Sequence, residues 1–262
     1  MFSDIIKEYL IFCVTDKAYL ENTYVTLKSF FKYNDFNVTV FTPDSKNFQE
    51  IKDRLKEFNV SVEFINVDVE MEHFFYKHLK PVIAKLKIFD NSKYKYNLCF
   101  DTDTLFLGSI KDVIKEYNSS LIGVKERIKN DINVGFCIYK KTDLNLFEKF
   151  KEYSLKYGYF NCPEQDFLNF IIKDREYLET KYNICYWTGD SEDKIMIHYA
   201  SEYKPFNFKI PKEFAIDVIF QLKLFKYYFD FMKDLRPSKE FLSKIEKAKR
   251  FYEKCSLFYN LD

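Results

Sequence analysis

Short runs of β-type residues alternate with helical patterns through the first two-thirds of the chain, and this alternation constrains the fold more than any other feature. The three leading β-type runs are Leu10–Val14, Val38–Phe41 and Val60–Ile65. Apolar residues at helical spacing predict a helix over Tyr19–Tyr33, and Asp44 or Ser45 is expected to cap a second helix ending at Phe58. This βαβαβ order predicts a parallel sheet covered by helices on both faces, with ligands bound at the carboxyl ends of the strands.

The same alternation continues to about residue 206. A predicted helix around Pro81–Phe89 leads to a strand at Tyr96–Phe100, which runs directly into Asp101. Further strands are predicted at Leu121–Val124, Phe136–Tyr139 and Ile195–Ile197, and further helices at Leu144–Tyr157 and Glu164–Ile172. We therefore expect one α/β domain over residues 1–206.

The pattern changes after Phe206. Residues 212–235 and 238–258 predict two helices separated by Arg236-Pro237, with Ser238 as the N-cap of the second. The first helix carries a wide apolar stripe formed by Ile219, Leu222, Phe225, Phe229 and Met232. Such a stripe is most often core, so residues 207–262 are expected to form a helical extension packed on the main domain. A homodimer contact or a weak membrane-surface contact is the alternative.

Charge and cysteine usage narrow the class of protein. With 41 Lys and Arg against 40 Asp and Glu, the net charge of +1 lacks the basic excess that binding to nucleic acid needs. The opening residues have no signal-peptide pattern, and no apolar run approaches the ~20 residues that span a bilayer. Cys13, Cys99 and Cys137 lie in apolar strand-like runs and are expected to be reduced, buried thiols. These features predict a cytoplasmic protein without a transmembrane segment.

The chemistry centres on Asp101-Thr-Asp103, which follows the strand ending at Phe100. In extended chain, residues i and i+2 point the same way, so the two carboxylates are expected to converge. Paired carboxylates suit Mg²⁺ or Mn²⁺, with phosphate oxygens completing the coordination shell. A D-x-D motif alone does not separate this hypothesis from a solvated turn.

A second motif strengthens the metal hypothesis. The predicted strand at Ile195–Ile197 ends in His198, and Lys204-Pro205-Phe206 follows shortly after. We interpret His198 as a third ligand and Lys204 as a partner for an anionic group, whereas His73 and His78 are given no role.

Five blocks of sequence stand in a fixed order between about residues 10 and 206. They are Val14-Thr-Asp-Lys-Ala-Tyr19, the stretch from Lys85-Leu to Phe100-Asp-Thr-Asp-Thr-Leu-Phe-Leu107, Ile132-Asn-Val-Gly-Phe-Cys-Ile138, Cys162-Pro-Glu-Gln-Asp-Phe-Leu-Asn169 and Met196-Ile-His-Tyr-Ala-Ser-Glu-Tyr-Lys-Pro-Phe206. In this order and at this spacing they resemble glycosyltransferase family 8, the retaining family that contains glycogenin and bacterial lipopolysaccharide galactosyltransferases. The resemblance implies a GT-A fold, which is a Rossmann-like, nucleotide-sugar-binding α/β fold with a mixed, mostly parallel central sheet.

The resemblance also implies roles for the matching positions. The implied metal ligands are Asp101, Asp103 and His198. The mixed ligand set favours Mn²⁺ over Mg²⁺ as the ion bridging the donor diphosphate. The implied donor-binding residues are Thr15, Asp16 and Tyr19 at the uridine, Lys204 at the diphosphate, Lys85 on the sugar-phosphate side, and Thr102 and Ser201. The implied catalytic residues at the transferred sugar are Asn133, Glu164 and Gln165.

Two positions depart from the family pattern. Glu164 stands where the family usually has aspartate, and the extra methylene is expected to change donor choice or reposition the sugar. Ser201 replaces a glycine near the phosphates, which makes close backbone approach there less certain.

The activity implied by the resemblance is hexosyl transfer, with glucose or galactose passing from a UDP-sugar to a hydroxyl acceptor and the anomeric configuration retained. Front-side attack by the acceptor is favoured, with Gln165 positioning the reactants and Glu164 orienting the sugar. The acceptor is not specified, and Tyr182 and Tyr186 are candidates for glycogenin-like self-glucosylation.

Three alternatives stay open at this point. A haloacid-dehalogenase-type phosphatase also places Asp-x-Asp after a strand, and Thr188-Gly-Asp-Ser-Glu-Asp193 loosely resembles its acidic metal motif. Its nucleophile normally follows the first strand of the core, however, whereas three predicted strands precede Asp101, and Thr104 stands where it usually has glycine. The second alternative is a nucleotidyltransferase on a similar sheet. The third is a catalytically dead relative that acts as a binding module, and the intact Asp101, Asp103, His198 and Lys204 argue against it.

Overall fold

The computed structural model describes residues 2–68, 79–157, 163–200, 204–206, 216–233, 235 and 238–259. Its strands are β1 Tyr9–Val14, β2 Val38–Thr42, β3 Val60–Phe64, β4 Tyr96–Phe100, β5 Thr104–Phe106, β6 Leu121–Lys125, β7 Ile132–Lys140, β8 Arg175–Leu178 and β9 Met196–His198. Its α-helices are α1 Phe2–Ile5, α2 Leu20–Tyr33, α3 Phe48–Leu55, α4 Lys80–Asn91, α5 Leu146–Tyr157, α6 Pro163–Ile171, α7 Ile216–Met232 and α8 Lys239–Tyr259.

The central sheet has the strand order β3-β2-β1-β4-β7-β6-β8. The pairs β2–β3, β1–β2, β1–β4 and β6–β8 are parallel, whereas β7 runs antiparallel to both β4 and β6. A separate two-stranded ribbon joins β5 to β9, with Thr104 paired opposite His198. The predicted mixed, mostly parallel sheet is therefore confirmed.

Apolar cores lie on both faces of this sheet. Along β1, Ile11 and Cys13 belong to the core that includes residues of α2 and α3, while Phe12 belongs to the core that includes residues of α4, α5 and α6. This division follows from the two-residue period of a strand, which sends successive side chains to opposite faces. Cys13, Cys99 and Cys137 are buried and free, as predicted.

The C-terminal helices pack on the rest of the chain through a third core. Leu222, Phe225 and Phe229 of α7 are buried together with Leu105 and Ile197 of the β5–β9 ribbon. The apolar stripe is therefore internal packing, and the division of the chain at residue 206 stays a prediction. Among the described residues, no helix is both long enough and apolar enough to cross a bilayer.

Several elements differ from the sequence predictions, and α1 and β5 were not predicted at all. The helix predicted to be capped at Asp44 or Ser45 begins only at Phe48, because an Asp44 carboxylate oxygen accepts the Asn47 backbone N–H at 3.2 Å and forms a turn first. Strand β8 was not predicted, since Arg175-Glu-Tyr-Leu178 lacks an apolar run and forms an edge strand.

Candidate functional site

The D-x-D turn is held in place from several sides. The Asp101 backbone N–H donates to the Gly135 carbonyl at 2.9 Å, so the turn starts against β7. The Thr26 hydroxyl, from α2, lies 3.0 Å from the Thr102 carbonyl and 2.8 Å from the Thr104 carbonyl. These contacts hold the D-x-D turn at the carboxyl end of β4. The βαβαβ order of the sequence predicted a ligand site at this end of the strands.

Asp101, Asp103 and His198 come together at this turn. One potential ligand atom from each lies within 4.8 Å of the others. His198 Nε2 lies 3.6 Å from Asp101 Oδ2 and 3.3 Å from Asp103 Oδ1. The pairing of Thr104 with His198 explains this proximity, because it places the end of β9 directly beside the turn.

Gly135 makes room for the imidazole and was given no role from the sequence. A Cβ atom at this position would lie 2.0 Å from His198 Cε1 and 2.3 Å from Nδ1, closer than any side chain allows. The only indication in the sequence was the glycine of the Asn-Val-Gly block, since the spatial contact joins residues far apart in the chain.

The donor atoms of this cluster fit a divalent cation. Asp103 Oδ1 is buried and has no hydrogen-bond partner among the described residues, although His198 Nε2 is close by. Two carboxylates and one imidazole form a ligand set that Mn²⁺ and related divalent ions accept. A buried carboxylate oxygen without a partner is costly unless a cation or donor satisfies it.

The charged groups of the cluster shift one another's pKa values. Burial opposes ionisation of Asp103, but the Lys204 and His198 charges outweigh it and hold the carboxyl pKa well below its usual range. Burial likewise lowers the pKa of His198, yet Asp103, with a smaller contribution from Asp101, raises it to about 10. A metal ligand must be a neutral imidazole, so cation binding would release the proton of His198.

Two lysines flank the aspartates. Lys85 is only 4% exposed, and its Nζ lies 2.9 Å from Asp101 Oδ1 and 2.7 Å from Glu164 Oε1. Burial alone would lower the pKa of Lys85, but Asp101 and Glu164 raise it well above its usual value, so the ammonium stays charged. Lys204 forms an ion pair with Asp103 Oδ2.

A cavity of about 1090 Å³ opens beside the aspartates. The predicted site residues that line it are Thr15, Asp16, Tyr19, Lys85, Asp101, Thr102, Asp103 and Glu164. Asp16 also caps the short 3₁₀ helix Lys17–Tyr19, accepting the Tyr19 N–H at 3.1 Å, and the Thr15 hydroxyl bonds that of Thr23 at 2.5 Å. A cavity of this size fits a small organic ligand.

Asn133 and Gln165 lie outside the residues that line this cavity. Gln165 accepts the Val134 N–H at 3.3 Å and donates to the buried Glu126 carboxylate at 2.8 Å. Asn133 Oδ1 accepts from the Gly135 N–H at 3.2 Å and from the Asn183 side chain at 2.9 Å. Both amides thus belong to buried polar networks. Their partners Glu126 and Asn183 were given no role in the sequence analysis. Their catalytic roles stay predictions.

Other predicted positions lie elsewhere. Ser201, His73 and His78 lie outside the described residues. In the acidic stretch Thr188–Asp193, exposed Asp190 pairs with Lys194 at 2.8 Å. Within the described part of the chain, this stretch contributes no ligand to the Asp101–Asp103–His198 cluster. It therefore does not supply the acidic metal motif that a phosphatase would need.

The sheet and the D-x-D turn at the end of β4 define a GT-A fold, the α/β architecture of nucleotide-sugar-dependent glycosyltransferases. No family model and no curated protein sequence matches the chain. Solved structures do match it. The galactosyltransferase LgtC, solved with donor and acceptor sugar analogs, aligns with a TM-score of 0.66 at 14% identity, covering 89% of this chain and 99% of LgtC.

Two further glycosyltransferase structures are similar. The bifunctional glycosyltransferase WbbM aligns with a TM-score of 0.65 at 15% identity, over 91% of this chain and 51% of WbbM. GlyE of Streptococcus pneumoniae TIGR4 aligns with a TM-score of 0.60 at 17% identity, over 88% of this chain and 66% of GlyE. At these identities the matches establish the fold.

Proposed function

We propose that this protein is a metal-dependent, retaining glycosyltransferase that transfers a hexose from a UDP-sugar to a hydroxyl acceptor. The observation that carries the proposal is the convergence of Asp101, Asp103 and His198 at the rim of a large cavity in a GT-A fold. Glucose and galactose are the proposed hexoses, and the similar LgtC is named a galactosyltransferase. The order of the five sequence blocks supports membership in glycosyltransferase family 8.

Asp101, Asp103 and His198 would hold the cation, with Mn²⁺ proposed and Mg²⁺ as the alternative. A bound divalent ion would neutralise negative charge that builds on the diphosphate as the sugar leaves. The Lys204 ammonium forms an ion pair with Asp103. It would therefore add a second positive charge beside the diphosphate oxygens. Thr15, Asp16 and Tyr19, which line the same cavity, would bind the nucleoside.

Lys85 links the cation site to the sugar site. Its ammonium contacts both Asp101 and Glu164, so it fixes the position of Glu164 relative to the metal ligands. Glu164 would orient the transferred sugar, and Gln165 beside it would position the acceptor for front-side attack. Ser201 is proposed to lie near the phosphates.

The function can be tested by measuring nucleotide release from UDP-, GDP- and ADP-sugars with Mn²⁺, Mg²⁺ or EDTA. We expect UDP release from a UDP-hexose with Mn²⁺ and none in EDTA. Conversion of a UDP-sugar and added pyrophosphate to UTP and a sugar 1-phosphate would indicate a nucleotidyltransferase. A phosphoaspartate formed at Asp101 from an aryl phosphate would indicate a phosphatase. Full activity in EDTA would contradict the metal assignment.

Self-glucosylation can be tested by mass spectrometry of the enzyme after incubation with the donor. Tyr182 is only 4% exposed, whereas Tyr186 is half-buried, so Tyr186 is the more accessible of the two candidates. A hexose adduct that is absent from Tyr186→Phe would identify this acceptor.

Replacement of Lys204 by alanine should lower kcat and weaken donor binding together. The expected loss is roughly 2–4 kcal/mol of transition-state stabilisation, the range for one preorganised electrostatic group. Lys204→Arg should restore only part of kcat and of donor binding, because a planar guanidinium does not reproduce the geometry of a compact ammonium. Steady-state kinetics and a donor titration measure both effects.

Lys194→Ala is the matched control, because it removes a second Lys–Asp ion pair, to the exposed Asp190, which is not part of the Asp101–Asp103–His198 cluster. Unchanged turnover and donor binding in Lys204→Ala would show that the Lys204-Pro-Phe segment is only structural.

A further inference from the structure

Trp187 is the single tryptophan of the chain, and 39% of it is exposed. It lies in a turn that is closed by hydrogen bonds from the Gly189 N–H to the Cys185 carbonyl at 2.9 Å and from the Cys185 N–H to the Thr188 hydroxyl at 3.1 Å. The exposed indole is therefore carried by a well-defined turn.

The indole packs on Tyr186, which is itself held by several side chains. Trp187 packs edge-to-face on Tyr186, with ring centroids 4.9 Å apart. The Arg127 guanidinium lies 5.3 Å from the Tyr186 ring centroid and donates to the Tyr186 carbonyl at 2.8 Å. Tyr186 also meets Phe220 of α7 edge-to-face. Tyr186 is thus held from several sides, while Trp187 faces solvent.

The turn is connected to the proposed transfer site by two routes. The His198 N–H donates to the Ile184 carbonyl at 2.9 Å, and Trp187 is three residues further on, so its Cα lies at most about 11 Å from that of Ile184. On the other side, the Arg127 N–H donates to the Trp187 carbonyl at 2.7 Å. Arg127 directly follows Glu126, whose carboxylate accepts a hydrogen bond from the Gln165 side chain at 2.8 Å.

We propose that Trp187 is the acceptor platform of this enzyme, stacking against the pyranose ring of a saccharide acceptor. This inference rests on the proposed function. The π-face of an indole is electron-rich and attracts the polarised C–H groups on the apolar face of a pyranose. Trp187 does not line the donor cavity, so a saccharide there would lie outside the donor site, on the side where the Ile184 carbonyl accepts the His198 N–H.

The single tryptophan makes this proposal directly measurable. Protein with Mn²⁺ and UDP would be titrated with lactose, maltose and the methyl glycosides of glucose, galactose and N-acetylglucosamine, with tryptophan emission as the readout. We expect a saturable change in emission with at least one of these sugars. No change with any of them would overturn the proposal.

Transfer kinetics with the responding sugar give the second test. Trp187→Ala should raise the acceptor KM at least about tenfold, the equivalent of about 1.4 kcal/mol. Donor KM and donor hydrolysis should stay within about twofold of wild type, and Trp187→Phe should be intermediate, because it keeps an aromatic face. Phe64→Ala is the matched control, since it removes an exposed aromatic side chain from the edge strand β3 that does not line the cavity.

The outcomes separate the two proposals. An unchanged acceptor KM in Trp187→Ala, with donor hydrolysis intact, would overturn the platform alone. Absence of donor turnover in the wild-type protein would overturn the proposed function and the platform with it.

Discussion

Replacement of Gly135 by alanine should remove most of the metal affinity of the protein. The added Cβ would lie 2.0–2.9 Å from the Cε1, Nδ1 and Nε2 atoms of His198, so the imidazole must move. Displacing one ligand of the cluster should weaken Mn²⁺ binding by roughly 10–100-fold, as is typical when the support of a ligand is lost. Calorimetric titration with Mn²⁺ measures this effect.

The same substitution should destabilise the fold by about 1–3 kcal/mol, the usual cost of overpacking a close-packed core. In a His198→Ala background most of this cost should disappear, because the ring that the Cβ meets is gone. The double-mutant cycle should therefore give a coupling of roughly 0.5–3 kcal/mol between the two positions.

Gly108→Ala is the control, because the only atom closer than 3 Å to its Cβ would be Ile195 Cδ1, at 2.7 Å, the flexible end of that side chain. It should bind Mn²⁺ like wild type. Normal Mn²⁺ affinity in Gly135→Ala, or no coupling to His198, would show that the close contact is not what positions the imidazole.

Asp103→Asn should abolish donor turnover while the protein still folds. The substitution preserves the shape of the side chain but removes the charge that faces His198 and Lys204. We expect kcat to fall by roughly 10²–10³-fold or more, since a ligand and its electrostatic contribution are lost together. UDP release with saturating Mn²⁺ and donor measures the loss, and thermal unfolding checks the fold.

Asp190→Asn serves as the control, because it alters an exposed carboxylate of the acidic stretch that a phosphatase would use. It should retain wild-type UDP release. Loss of activity in Asp190→Asn with activity retained in Asp103→Asn would reverse the assignment.

Local patterns were sufficient to predict the framework of the site. The strand ending at Phe100 and the alternation before it predicted β1 to β4 in parallel, with Asp101 at a carboxyl end. These features depend on periods of two and 3.6 residues, which are visible in a short window of sequence. Strand β8 was missed because its polar Arg175–Leu178 segment pairs through its backbone at the sheet edge.

The contacts that refine the site were not predictable, because they join residues distant in sequence. Gly135 against His198 and Glu126 against Gln165 depend on how β7, β9 and α6 pack, and no local pattern reports them. Glu164 and Asp101 both contact Lys85, although the three residues are far apart in the sequence.

The proposed function depends most on one cation, which Asp101, Asp103 and His198 would hold together with the donor diphosphate. Electron paramagnetic resonance of free Mn²⁺, titrated with protein in the presence and absence of UDP, measures this directly. We predict one Mn²⁺ per chain, tighter binding with UDP, and loss of this binding in Asp103→Asn. Mn²⁺ binding that is equally tight in Asp103→Asn, or that UDP does not change, would contradict the proposed metal site.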